Sequence, residues 1–132
     1  MDKVKQIFDD ATLLYEEALA ELEKGNLRDA AEKSWGATLR ATNALILART
    51  GKELDGARET TPELHRLAGK DREIDDKLVG RFHTRRDFLH GDCFYSGLLE
   101  PRDQIERRIR ETDLYINDAK RLAGKRERFI PK

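Results

Sequence analysis

The chain has 132 residues, enough for one domain with a single core. Charged residues make up 39% and hydrophobic ones 38%, with only nine glycines and three prolines, a balance that favours helices with charged outer faces over a sheet protein. Lys+Arg and Asp+Glu both total 26, so bulk charge gives no reason to expect attraction to nucleic acid.

The charge is unevenly placed. Residues 1–33 carry nine acids against five bases, whereas residues 119–132 carry six bases against Glu127 alone. Such asymmetry either orients a partner or marks two solvated faces. A lone cysteine, Cys93, excludes an internal disulfide and suits a reducing cytoplasm. No secretory signal opens the chain, and no apolar run nears a membrane span of ~20 residues. Abundant Glu, Lys and Arg with few Asn, Gln, Met and Cys resemble a thermophile's composition.

The first helix has Val4, Ile7, Phe8, Ala11, Leu14, Ala18, Leu19 and Leu22 at helical spacing and closes at Gly25. After Asn26 a second helix carries a small-residue stripe (Leu27, Ala30, Ala31, Ser34, Thr38, Ala41, Leu45, Ala48), so its neighbour can approach closely. The short link makes the pair an antiparallel hairpin. Trp35, beside the stripe, is a core or subunit-contact residue.

Gly51 and Gly56 bracket a charged loop. Thr61-Pro62 has the pattern of an N-cap with proline at the first helical position, starting a short helix that stops near Gly69. Asp71 can cap a further helix with Ile74, Leu78, Val79, Phe82 and Leu89 inward, ending at Gly91, and "GDCFYSGLLE" is a loop. Pro101 restarts a long helix with Ile105, Ile109, Ile116 and Leu122, running to about Gly124. The expectation is an all-α, up-and-down bundle of four long helices plus one short one. Residues 1–124 form the domain and 125–132 a basic tail. Any broad apolar stripe left over would be buried by a second copy.

The stretch "RRDFLHGDCFY", residues 85–95, concentrates the polar chemistry. Arg85 continues the apolar stripe, which is costly unless its guanidinium finds an anion, a carboxylate or a subunit boundary. His90 follows at the helix end, where the dipole favours a cation. On an ideal helix Arg85 and His90 stand about 140° apart. For them to act together, the helix must distort or the partners must meet across a two-fold axis.

Arg85-x4-His90 resembles the R-x4–6-H motif of the HEPN superfamily. "AEKSWGAT" in the second helix, and Phe94-Tyr95 after the late histidine, resemble its archaeal PaREP-type branch. The resemblance spans roughly residues 2–123 and implies an all-α homodimer and, for many members, metal-independent endoribonuclease activity with no cofactor. Arg86 stands where the family commonly has a short polar residue. Asp87 would fill that role if Arg86 were the motif arginine. Arg58-x6-His65 also fits the wider spacing, but Pro62 lies between them and sets that pair aside.

The resemblance implies catalysis by Arg85 and His90. Arg86, Asp87, His83 and Tyr95 would support it or bind phosphate. Histidine titrates near neutrality, so it can take the proton of an RNA 2′-hydroxyl or protonate the leaving 5′-oxygen. The arginines can hold the phosphate and stabilise its developing charge. His65, His83 and His90 have no recognised metal-ligand spacing, so no metal site is expected. Against this stands a non-catalytic HEPN-like module that binds RNA, a nucleotide or a nucleotidyltransferase-type protein, its polar cluster consumed by capping and salt bridges. A helical-repeat adaptor is disfavoured, because no second repeat follows.

Overall fold

The computed structural model describes residues 2–125, and those residues are helical with no strand. Five helices follow one another. α1 is Asp2–Glu23, α2 is Leu27–Thr50 and α3 is Ala57–Lys70. α4 covers residues 72–95, and α5 has two halves, Arg102–Arg110 and Thr112–Ala123. Four long helices and one short one match the expectation. Of the basic tail, all but Lys125 lies outside the described residues.

Gly25, at φ 83°, turns the chain from α1 into α2, a left-handed conformation that favours glycine. The Asn26 amide then donates to the Glu21 carbonyl at 2.9 Å, closing α1 as a Schellman motif does. Pairs Asp10–Arg40 and Glu17–Lys33 set α1 antiparallel to α2. The α4 contacts run the opposite way to α2: Arg85 meets Thr38, and His90 meets Glu32. α5 runs parallel to α2, with Tyr115 beside Thr42 and the Leu122 carbonyl beside Arg49. The long helices therefore alternate in direction along the chain, as in an up-and-down bundle.

α2 is the central helix. Residues 41–47 are all buried, so it is surrounded rather than covered on one face. Its alanines and threonines permit this closeness. The Thr38 and Thr42 hydroxyls donate back to carbonyls one turn earlier, which keeps these buried groups satisfied. Trp35 is 5% exposed and packs against Phe82 at 5.2 Å, a core residue as expected.

Three sequence expectations fail. α3 begins at Ala57, not Thr61, so Pro62 lies inside it. Thr61 does not cap; its hydroxyl donates to the Ala57 carbonyl within the helix. The ground for setting aside Arg58 and His65 therefore goes, since both sit on α3. The last long helix is interrupted at Glu111, whose ψ of 1° leaves helical geometry.

Nor does α4 stop at Gly91; it continues to Tyr95, so the first half of the expected loop is helical. Its winding is π-type over Asp75–Val79 and Arg86–Tyr95 and α-type between. Spacing explains the wide turns. Its buried residues are Ile74, Leu78, Phe82, Arg85, Leu89 and Cys93. Five steps over 19 residues average slightly more than an α-turn, and a pure α-helix would rotate the last of them about 100° away from the first. Wider i→i+5 turns remove that drift and keep the stripe on the core.

Candidate functional site

Asp71 starts α4 in the expected way: its carboxylate accepts from the Glu73 amide at 3.0 Å, and Arg49 from α2 holds it at 3.1 Å. At the other end, Arg28 of α2 donates from Nε to the Phe94 carbonyl at 2.5 Å and from Nη2 to the Tyr95 carbonyl at 3.3 Å. A cation on the last carbonyls satisfies groups that a helix end otherwise leaves unpaired. Arg28 therefore carries α4 past Gly91, and the positive-φ residue that ends it is Gly97.

Arg85 points into the bundle and is only 4% exposed. Nε donates to Thr38 Oγ1 at 2.9 Å, and Nη2 donates to the Arg108 carbonyl at 3.0 Å and to Thr112 Oγ1. These partners are neutral oxygens. Burial pulls the guanidinium down from 12.5 to about 10; nearby Arg81 and Arg108 pull it the same way, while Tyr115 and Glu111 oppose. The guanidinium ties α4 to α2 and to both halves of α5.

His90 lies at the edge of the core with 41% of its side chain exposed. Its Nδ1 meets Glu32 Oε1 at 2.8 Å. The ring stacks on Phe94 at 6.1 Å and 18°, with Trp35 at 6.3 Å. Arg28 lies over the far ring of that stack, 5.7 Å from the Phe94 centroid. A carboxylate on Nδ1 fixes ring orientation and leaves Nε2 for another partner.

The wide π turns hold both motif residues toward α2, but their polar ends are kept apart. Thr38 and Glu32 are six residues apart on α2, about 9 Å of helix. Arg86 pairs with its neighbour Asp87 at 3.2 Å, and Asp87 is largely exposed. Tyr95 is 78% exposed. His83 is not joined to His90 but meets His65 of α3, Nε2 to Nε2 at 2.8 Å. Burial, then Arg86 and His65, hold the His83 imidazole below its usual range against the opposing pull of Asp87. Cys93 is buried, and its thiol is pushed up to about 11 by burial and then by Asp92, so it is not a nucleophile at neutral pH.

Glu32 is the site residue that sequence reading missed. The signal lay within "AEKSWGAT": Glu32, Trp35 and Thr38 follow at three-residue steps, and these three meet His90 and Arg85. The whole arrangement lies within one stretch of family likeness: the model of the archaeal PaREP1/PaREP8 family matches residues 7–115. The chain belongs to that family. No curated protein and no solved structure matches it. Among the described residues of this PaREP1/PaREP8 protein, no helix is long and apolar enough to cross a membrane. No group of three or more His, Cys, Asp or Glu among them is placed to hold a metal ion.

Proposed function

We propose that this PaREP1/PaREP8 protein is an HEPN-like, metal-independent endoribonuclease whose acid–base group is His90, working in a groove formed with a second copy. The Glu32–His90 contact at 2.8 Å carries the reading. A carboxylate that orients an accessible imidazole at the rim of a core is the arrangement general acid–base catalysis needs. Arg86, partly exposed one turn before His90, supplies the cation for the scissile phosphate. Arg85 is a positioning residue: its buried bonds to α2 and α5 fix the turn from which His90 projects. Exposed Tyr95 and Leu98, just beyond the histidine, offer apolar surface to the second copy. Two copies supply two histidines, one to take the 2′-hydroxyl proton and one to protonate the leaving 5′-oxygen.

Incubation of mixed single-stranded RNA with the protein in excess EDTA tests this. Cleavage leaving 2′,3′-cyclic or 3′-phosphate ends is expected, falling about 10²–10⁴-fold in His90→Ala. Intact RNA with both proteins refutes it.

Arg85 favours a second reading. A motif arginine that is 4% exposed and spends its Nε and Nη2 donors on neutral oxygens inside the bundle is turned away from a phosphate at the surface. In this reading the domain is a non-catalytic HEPN-like module. Its exposed face binds RNA, a nucleotide or a nucleotidyltransferase-type protein. RNA binding without cleavage, weakened by Arg86→Ala, would select it.

A further inference from the structure

We infer that His65 and His83 form a two-imidazole site for a borderline divalent transition metal such as Zn²⁺, bridging α3 and α4. The proposed cleavage chemistry does not use the pair, and sequence spacing does not suggest it, because 17 residues intervene. The fold makes it: two Nε2 atoms from different helices face each other at 2.8 Å, with ring centroids 5.0 Å apart.

The distance suits chelation. Zinc–imidazole bonds of about 2.0–2.1 Å at a tetrahedral angle put two ligand nitrogens about 3.3 Å apart. The rings need to separate by only about half an ångström, and exposed His65 is free to make that adjustment. In the metal-free state a single proton between the two nitrogens makes the hydrogen bond. In the metal-bound state each ring carries its proton on Nδ1 and gives the Nε2 lone pair to the metal, releasing nothing if both imidazoles were neutral.

Neighbouring charges set the strength. Asp87 lies four residues after His83 and adds negative charge, while Arg86 opposes a cation. With two protein ligands the remaining positions fall to water, so the site is open rather than a closed structural one. Imidazole donors without thiolate suit zinc, copper or nickel over calcium or magnesium.

The test is calorimetric titration of the untagged full chain, stripped of metal, with zinc chloride. One equivalent is expected to bind, with His65→Ala and His83→Gln each weakening it at least about tenfold. His90→Ala, which removes the remaining histidine, should leave the affinity unchanged. Zinc should also raise the unfolding temperature of the wild type but not of His65→Ala, because a metal bridge between α3 and α4 needs both imidazoles. An affinity unchanged by His65→Ala, or no binding at all, overturns the assignment. Cleavage in EDTA is independent of this site, so either result leaves the His90 reading to its own experiment.

Discussion

Replacing Arg85 by methionine and by alanine separates what its charge does from what its bulk does. Methionine fills most of the same volume without charge; alanine leaves a hole. A guanidinium brought from 12.5 to about 10 is disfavoured by about 3 kcal/mol in its charged form, at 1.36 kcal/mol per tenfold change. Against this stand its hydrogen bonds, of order 1–2 kcal/mol each, to Thr38, Thr112 and the Arg108 carbonyl. Removal leaves no stranded hydroxyl: Thr38 still donates to the Ser34 carbonyl, and Thr112 lies 3.4 Å from the Arg108 carbonyl. The opposing contributions nearly offset, so Arg85→Met should fall within about 2 kcal/mol of wild type. Arg85→Ala forfeits the packed stem as well and should lie a further 2–5 kcal/mol lower, roughly 10 °C in unfolding temperature for a chain of this length. Thermal unfolding followed by circular dichroism reads both. If methionine proves as damaging as alanine, the buried hydrogen bonds rather than packing hold this junction, and the account of Arg85 fails.

Glu32→Gln keeps the shape of the His90 partner but removes its charge; RNA cleavage should fall at least about tenfold while RNA binding, measured by anisotropy, is unchanged. An undiminished rate would remove Glu32 from the mechanism. Asp71→Ala should cost about 1–2 kcal/mol in urea unfolding, through loss of the α4 cap and the Arg49 contact. Burial alone would raise the Asp71 carboxyl, but hydrogen bonds from Arg49 and the Glu73 amide outweigh it and hold it below its ordinary 3.8. Its stabilisation is thus present above 3.8 and lost as pH falls through the lower folded value, so the gap between wild type and variant should close in acid. His83 is also depressed, below 6.5, so the unfolded chain binds the proton more readily; stability should decline as pH drops below 6.5, with a shallower slope in His83→Gln. An identical slope in both proteins would place the titration elsewhere.

The helices were legible because helix formation answers to local rules. Apolar spacing, the turn at Gly25, the cap at Asp71 and the position of Trp35 depend on residues within a few turns of one another. Pro62 misled because proline is tolerated wherever the tertiary contacts outweigh one lost amide, and here Thr60 reaches across to Asn43 of α2 at 2.5 Å. The end at Gly91 misled for a similar reason: a distant arginine, Arg28, satisfies the carbonyls of a helix that glycine would otherwise close.

By itself, then, the sequence determined an all-helical chain of four long helices and one short, and it marked residues 85–95 as the place where polar side chains gather. The four-residue steps that dominate the inward stripe of α4 also carry the signal for wide turns. Only the tertiary structure decided where each polar group points. Arg85 turns inward to three neutral oxygens, His90 meets Glu32 at the rim, and His83 leaves the cluster for His65. The physical reason is range. Helical periodicity is written within one turn, whereas the partner of a buried charge or an imidazole is chosen among helices far apart in the chain, by whichever oxygen or nitrogen the packing brings within 3 Å.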